Sequence, residues 1–229
     1  MPTSNTLSSA FFQGLSYFIP CQLCGHLPTR HGRLCIDCWQ QLPWLKTTVQ
    51  RQQLDILTAC NYAYPLDRML QQFKYEQKLH FRYPLAAILA ELRLPRVQAI
   101  VPMPISSARL IERGYNQTLV LAQMLAKQHH LPIWQPIIRA EQHSQKGLSR
   151  LERLENIEQQ FQPATQIQQH FKRVIILDDV VTTGSSLKAL KTCMEIHLNC
   201  HAIFPVCLSA AQQHLKTPAL LAMATPPDV

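Results

Sequence analysis

The chain has 229 residues, 47% of them hydrophobic, and a formal net charge of +8 at pH 7. This length can bury the core of one domain plus a small module, and no apolar run is long enough to cross a bilayer, which argues against a membrane span. The basic balance favours an anionic partner such as nucleic acid or phosphates. A basic surface that only keeps the chain soluble is also compatible with it.

The chain begins with a lead-in, residues 1–20, in which polar residues interrupt apolar ones such as Phe11 and Phe12. No basic stretch precedes these apolar residues, so we expect no secretory signal and a location in a reducing cytoplasm. In that compartment, closely spaced cysteines bind a metal more often than they form disulfides.

Residues 21–44 contain two C-x2-C pairs separated by ten residues, namely Cys21, Cys24, Cys35 and Cys38. Four thiolates complete a closed tetrahedral site, which is typical of structural Zn²⁺ and leaves no open position for catalysis. We therefore predict a small N-terminal zinc module with four cysteine ligands. His26 and His31 are alternative ligands and disulfides are another alternative, but two complete cysteine pairs favour the zinc site.

A polar, Gln-rich stretch at 45–56 is interpreted as a linker, after which strand and helix patterns alternate. The strand candidates are Leu57–Tyr64, Val97–Met103, Ile133–Ile138, Arg173–Leu177 and Ala202–Leu208. This alternation predicts an α/β domain at 57–210 with a mostly parallel sheet flanked by helices, whose ligands bind at the carboxyl ends of strands. The tail, 211–229, lacks clear periodicity, and we expect it to be partly disordered.

Helical patterns between the strands begin at recognisable signals. One helix is expected to start near Pro84, and another runs from the capping residue Asn116 to about His129. Just before it, Arg109 and Arg113 lie four residues apart and share a face if that stretch is helical. They can neutralise pyrophosphate or nucleic-acid phosphates, or they can be two exposed arginines on a helix surface.

A long polar, basic connection follows the third strand candidate. Connections of this type become mobile lids over phosphate sites. Its lid candidates are Arg139, Gln145 and Arg153, which join Arg109 and Arg113 as candidates for contacts with pyrophosphate.

The most informative segment begins with Asp178 and Asp179, which follow the apolar run 174–177. A turn and a helical pattern come next, and the turn contains Thr182, Thr183, Gly184, Ser185 and Ser186. Carboxylates accept hydrogen bonds from ribose hydroxyls, whereas N–H groups and hydroxyls at a helix N-terminus hold a phosphate. An ordinary strand–turn–helix with a capping serine is the alternative, but the elements occur in the order that a sugar phosphate requires.

This segment resembles the phosphoribosyl-pyrophosphate (PRPP) signature of type I phosphoribosyltransferases. Several motifs together resemble the ComF/GntX-like proteins over roughly residues 15–208. These motifs are the cysteine pairs, Phe73-Lys74-Tyr75, Val-Pro-x-Pro at 101–104, Arg-x3-Arg-Gly-Tyr-Asn-Gln at 109–117, and the Asp-Asp-x2-Thr-Thr-Gly loop at 178–184. The resemblance implies a type I phosphoribosyltransferase-like fold with an N-terminal zinc module, and a role in natural transformation through the handling of incoming DNA.

The resemblance also implies roles for the site residues. Asp178 and Asp179 would hold the ribose hydroxyls directly or through Mg²⁺, and the loop 182–186 would cradle the 5-phosphate. The turn after Val101 would lie where pyrophosphate binds, and residues 139–156 would form the lid.

The sequence leaves different classes of function open. An enzyme would displace pyrophosphate from the anomeric carbon of PRPP, but no acceptor site is recognisable. A binding protein would use the pocket as a ligand sensor, or would hold single-stranded DNA, a DNA-uptake helicase or a DNA-processing protein through the basic surface and the zinc module. Lysines and aromatics at 73–83 suit base stacking and equally suit core packing: Phe73, Lys74, Tyr75, Lys78, Phe81 and Tyr83.

Overall fold

The computed structural model describes residues 19–140 and 160–212. Most of the lead-in, the lid candidates Gln145 and Arg153, and most of the C-terminal tail lie outside these ranges. Within them, no helix combines the length and the apolar character that crossing a membrane requires.

The elements follow one another along the chain and are listed here in that order. They are α1 (Ile36–Gln40), β1 (Trp44–Arg51), β2 (Leu54–Asn61), α2 (Leu66–Tyr75), a short 3-10 helix (Leu79–Phe81), α3 (Arg82–Ala90), β3 (Ala99–Pro102), α4 (Ser107–Arg113), α5 (Gln117–His129), β4 (Ile137–Arg139), β5 (Phe161–Pro163), β6 (Arg173–Val181), α6 (Ser185–Leu198) and β7 (Ala202–Ala210).

Five of these strands form the main sheet in the order β1-β2-β7-β6-β3. Strands β2, β7, β6 and β3 run parallel to one another, and β1 is antiparallel to β2 at the edge. Strands β4 and β5 form a separate antiparallel pair. The predicted α/β class with a mostly parallel, helix-flanked sheet is therefore confirmed.

The sheet lies between two hydrophobic clusters because successive residues of a strand point to opposite faces. In β6, Ile175 and Leu177 belong to the cluster that contains α2, α3 and α5. Val174 and Ile176 belong to the cluster on the other face, which contains α6. Both faces are buried, which is why the central strands are almost continuously apolar.

The stretch 45–56 does not form a linker. It forms β1 and the start of β2, a hairpin at the sheet edge with five register pairs from Thr47↔Thr58 to Arg51↔Leu54. Most of β1 is exposed or half-buried. A polar edge strand of this type has the composition of a linker, which explains the wrong expectation. The division of the chain into a module, a domain and a tail stays a prediction.

The candidate strand Ile133–Ile138 is also wrong as a strand of the main sheet. A single bridge joins Ile133 to Ile100. The strand itself begins at Ile137 and pairs with β5 instead. Trp134 and Ile137 are buried although they do not belong to the main sheet, so an apolar pattern alone does not identify a strand of that sheet.

The cysteine-containing residues 21–44 pack directly on the rest of the chain. Leu34, fully buried, belongs to the same cluster as α2 and α3. Gly32 has φ +54°, and a Cβ at this position would overlap the Ala87 side chain of α3. The guanidinium of Arg33 lies 3.6 Å from the centre of the Tyr83 ring. The backbone of the cysteine-containing segment at Gly32 is therefore in direct contact with α3.

Candidate functional site

The site begins where β3 and β6 stop pairing. Pro102, the last residue of β3, pairs with Leu177, while β6 continues to Val181. The last backbone hydrogen bond at this end of the two strands is donated by the N–H of Met103 to the carbonyl of Leu177, at 2.9 Å. A cavity of about 470 Å³ lies beyond it. Seven predicted site residues line this cavity: Arg109, Arg113, Arg139, Asp178, Asp179, Thr182 and Ser186.

Strand β6 is four residues longer than the predicted strand. The acid pair therefore lies inside β6 and not after its end. Asp179 is 8% exposed. Its Oδ2 lies 2.8 Å from Nζ of Lys74, a residue of the last turn of α2. Asp178 accepts a hydrogen bond at Oδ1 from the backbone N–H of Asp179, at 2.9 Å. Burial, together with the negative charge of Asp179, raises the pKa of Asp178 to about 7. Asp178 therefore exchanges its proton near neutral pH.

The predicted phosphate loop follows β6 and leads into α6, a helix of 14 residues. Gly184 caps this helix with φ +82°, a left-handed conformation that favours glycine. The hydroxyls of Thr183 and Ser185 lie 2.8 Å apart, so they stand on the same side of the turn. A cavity of about 50 Å³ is lined by Asp178 and residues 180–187. The loop residues therefore enclose a small pocket at the positive end of a helix dipole.

The back of this loop rests on the edge hairpin, a support that the sequence did not indicate. Arg51, at the end of β1, donates from Nε to the carbonyl of Thr182, at 3.2 Å, and from a terminal nitrogen to the carbonyl of Ala211, also at 3.2 Å. A Cβ on Gly184 would lie 2.7 Å from the Cβ of Arg51. The hairpin that replaces the expected linker therefore fixes the loop from behind.

Arginines also line the large cavity. The guanidinium of Arg113 donates to Oε1 of Gln117, at 3.2 Å, and to the hydroxyl of Tyr75, at 3.3 Å. Arg139 donates to Oε1 of Gln160, at 3.0 Å. Burial, with the nearby charge of Arg109, lowers the pKa of the Arg139 guanidinium. These side chains give the cavity a surplus of positive charge suited to an anionic ligand.

The four predicted metal ligands converge near the N-terminus. The ligand atoms of Cys21, Cys24, Cys35 and Cys38 all lie within 4.8 Å of one another. The sulfurs of Cys24 and Cys35 are 3.8 Å apart. Zn–S bonds of about 2.3 Å in a tetrahedron place sulfurs about 3.8 Å apart, so the cluster fits a zinc site.

The surroundings of these sulfurs support ligation. Backbone N–H groups of Leu23 and Cys38 lie 3.4 Å from the sulfurs of Cys21 and Cys35. Hydrogen bonds from the backbone of Leu27 and His26 lower the pKa of Cys24 to about 6, whereas burial raises the pKa of Cys35 and of Cys38. Neither His26 nor His31 belongs to the four-residue cluster. His31 instead stacks on Trp39, with ring centres 5.3 Å apart.

The aromatic residues proposed for DNA contact divide into two groups. Phe73 and Phe81 are 0% and 4% exposed and belong to the core, so core packing is the correct explanation for them. Tyr75 is 62% exposed and lines the cavity. The sequence indicates Lys74 only as a basic surface residue, since nothing in the local sequence signals that it reaches Asp179 across the fold.

Comparison with known proteins identifies relatives by sequence, although no family model matches the chain. Competence protein F of Haemophilus influenzae is 30% identical over 200 residues, which cover 81% of this chain and 82% of the relative. The DNA utilization protein YhgH of Escherichia coli K12 is 30% identical over 182 residues, covering 73% and 74% of the two chains.

Among solved structures, orotate phosphoribosyltransferase from Aeropyrum pernix has a TM-score of 0.34 and 18% sequence identity to this chain. The match covers 62% of this chain and 64% of the other.

Proposed function

Since the chain belongs to the competence protein F (ComF) family, we propose that it is a cytoplasmic factor of DNA uptake in natural transformation, with a Mg²⁺-dependent PRPP site of the phosphoribosyltransferase type. One observation carries the second half of this proposal. The acid pair, the hydroxyl-rich loop at the start of α6 and three arginines meet at one cavity of about 470 Å³.

Each part of this cavity suits one part of PRPP. Asp178 and Asp179 accept hydrogen bonds from vicinal ribose hydroxyls. Backbone N–H groups and hydroxyls of residues 182–186 hold the 5-phosphate at the N-terminus of α6. Arg109, Arg113 and Arg139 balance the pyrophosphate.

Mg²⁺ would stabilise the charge on the pyrophosphate. This ion binds through one or two carboxylates together with substrate phosphates and keeps several waters. Carboxylates and ligand phosphates meet in this cavity, so the residues fit an ion that arrives bound to PRPP.

Calorimetry with PRPP tests this site. The zinc-loaded full-length chain is titrated with PRPP in the presence and absence of Mg²⁺, beside the double variant Asp178→Asn/Asp179→Asn. The matched control is Asp55→Asn, which changes an exposed carboxylate on β2. We expect Mg²⁺-dependent binding in the wild type and the control, and at least a roughly hundredfold loss in the double variant, because two ligand-binding carboxylates disappear.

Absence of heat with PRPP, together with absence of competition by ribose 5-phosphate, would overturn the proposed site. If PRPP binds, pyrophosphate release on addition of candidate acceptors distinguishes an enzyme from a ligand sensor. In an enzyme, the bond between the anomeric carbon and pyrophosphate breaks, pyrophosphate leaves with the electron pair, and the acceptor forms the new bond.

We also propose that the cysteine cluster holds one structural Zn²⁺. Four converging sulfurs leave no position open for a reacting group, which fits a structural rather than a catalytic ion. Measurement of the zinc content of the wild type and of Cys35→Ser tests this assignment.

A second candidate function is the binding of single-stranded DNA. The observation that favours it is the exposed Tyr75 ring at the cavity, with the Arg113 guanidinium 5.0 Å from its centre. An exposed aromatic beside a cation can stack a base while the cation neutralises the backbone. Binding that weakens steeply with salt and is reduced in Tyr75→Ala would support it. Binding that is unchanged by salt and unchanged in Tyr75→Ala would contradict this second function.

The exposed apolar residues of the cysteine module favour a protein partner, such as a DNA-uptake helicase or a DNA-processing protein. Leu27 and Ile36 are 43% and 50% exposed there. Capture of such a partner by the wild type but not by Leu27→Ser/Ile36→Ser, with an unchanged zinc content, would support docking through the module.

A further inference from the structure

We infer that Lys74 is the resident counter-ion of the acid pair, so that Asp178 and Asp179 hold no free divalent cation and a metal enters this site only as a complex with a phosphate ligand. The exclusion of free metal follows from the residues of this chain alone. The clause about the phosphate ligand rests on the proposed function.

The first support is the ion pair between Lys74 and Asp179. Their charged atoms are 2.8 Å apart, and the two side chains are only 16% and 12% exposed. An ion pair shielded from water interacts much more strongly than one on the surface. A metal ion at Asp179 would have to displace the ammonium group or lie beside a like charge.

The second support is the way in which the main chain holds Lys74 in place. The neighbouring Phe73 is fully buried, and its carbonyl accepts a hydrogen bond from the hydroxyl of Tyr115. Lys74 lies in the last turn of α2, where the helix dipole favours a positive charge. The main chain at Lys74 is therefore anchored to the core by its neighbour Phe73.

The third support is the charge of the whole cavity. Among the residues that the structure describes, the carboxylates that line it are those of Asp178 and Asp179, and four basic side chains line it: Lys74, Arg109, Arg113 and Arg139. A cavity with this surplus of positive charge attracts polyanions and repels free cations. Magnesium also loses its bound water reluctantly and requires oxygen ligands in near-octahedral geometry. The carboxylate of Asp179 is paired with Lys74 and that of Asp178 already accepts a hydrogen bond, so the two carboxylates supply such ligands poorly.

Lys74 is thus a positioning residue. It holds the Asp179 carboxylate in place without a metal, 2.8 Å from its ammonium group, so that the carboxylate can accept a hydrogen bond from a hydroxyl group. Only a ligand that brings its own negative charges makes the cavity favourable for a divalent ion.

The test measures Mn²⁺ binding by electron paramagnetic resonance on the zinc-loaded, full-length chain without any phosphate ligand. The variants are Lys74→Met, Lys74→Arg and Lys74→Met/Asp179→Asn. Lys78→Met is the matched control, because Lys78 lies only four residues after Lys74 but makes an exposed pair with Glu76, at 2.9 Å.

We expect the wild type, Lys74→Arg and Lys78→Met to bind Mn²⁺ equally weakly. Lys74→Met is expected to bind it about tenfold or more tightly, since a positive charge close to the carboxylates is gone. The gain is expected to disappear in Lys74→Met/Asp179→Asn, which locates the new ion at the acid pair.

Two results would overturn the inference. One is tight Mn²⁺ binding by the wild type that is lost in Asp179→Asn, a comparison that needs no variant of Lys74. The other is a Lys74→Met protein that melts cooperatively and gains no Mn²⁺ binding; Lys74→Gln repeats this measurement if the Met variant does not fold.

The same proteins separate this inference from the proposed function. If the Mn²⁺ pattern is as expected while PRPP fails to bind, the counter-ion stands and the PRPP site fails. If PRPP binds with Mg²⁺ while wild-type Asp178 and Asp179 already hold Mn²⁺ alone, the PRPP site stands and the counter-ion fails.

Discussion

The cysteine cluster and the acid pair both consist of side chains of types that can bind metals, but their charges are balanced in different ways. The cysteine sulfurs face one another, all within 4.8 Å, in a geometry that an ion completes. The carboxylate of Asp179 already faces the ammonium of Lys74 at 2.8 Å. The geometry of the first site is therefore compatible with a metal ion, whereas a carboxylate of the second is already paired with a lysine of the protein.

The largest expected effect lies at the cysteine cluster. Removal of zinc by a chelator, or the substitution Cys35→Ser, is expected to destabilise the chain by roughly 5 kcal/mol or more, because metal-binding energy is folding energy in such modules. Melting temperature with and without zinc measures it. Ile36→Ala, next to Cys35 but exposed, is the control and is expected to melt like the wild type. Unchanged melting in protein shown to be free of metal would contradict the comparison.

The acid pair is expected to make stability depend on pH. The pKa of Asp178 rises from 3.8 in its ordinary state to about 7 in the fold, so the native state binds more protons between these values. Its favourable contribution to stability is complete below pH ~4 and is lost, by roughly 4 kcal/mol, as pH rises through about 7.

Urea unfolding from pH 4 to pH 8 checks this, with Asp178→Asn as the reference chain. Asparagine keeps the shape of the side chain and an acceptor oxygen, and it has no titratable proton in this pH range. We expect the wild type to lose stability relative to Asp178→Asn across this window. Parallel curves for the two proteins would show that Asp178 is not buried against a neighbouring charge.

The predicted phosphate loop is expected to lose stability when a side chain is introduced at Gly184. Gly184→Ala places an alanine at φ +82° with its Cβ 2.7 Å from the Cβ of Arg51. The left-handed conformation costs about 1 kcal/mol and the overlap about 1–3 kcal/mol more. Gly114→Ala is the matched control, since Gly114 has φ +77° and open space around it. Equal losses in urea unfolding for both variants would mean that Arg51 does not brace the loop.

The smallest expected effect is at an exposed ion pair. Lys46 and Glu91 are also paired at 2.7 Å, but both side chains are 41% exposed. Glu91→Gln is expected to change the free energy of unfolding by less than about 1 kcal/mol, because water screens the pair. Breaking the buried pair with Lys74→Met is expected to cost several times more, so equal effects would remove the distinction between the two pairs.

The features that were predicted from the sequence depend on residues close together along the chain. The C-x2-C spacing predicts the sulfur cluster, and Asn116 caps α5 as expected, accepting from the N–H groups of Thr118 and Leu119. The acid pair and the loop after it lie in the expected order, with Gly184 at the helix start. Each of these signals is local, so the physical reason for it can be read directly from the sequence.

The features that were missed depend on the tertiary fold. Lys74 meets Asp179 only when α2 and β6 join the same hydrophobic cluster in the folded chain. Arg51 meets the loop only because β1 lies at the sheet edge. The composition of 45–56 is polar because one side of this edge strand faces water, not because the chain lacks structure there. The spacing of residues along the sequence does not indicate such contacts.

The close approach of Gly32 to α3 has a consequence for protein engineering. Leu34 and Cys35 are buried in the same cluster as Leu66, Phe73 and Leu85. A shortened chain that begins after the cysteine pairs would leave this side of α2 and α3 uncovered and expose a contiguous apolar face, which favours aggregation. Affinity tags and fusions therefore belong outside the segment from the first cysteine to the end of β7, and the two candidate sites are best studied on one intact chain.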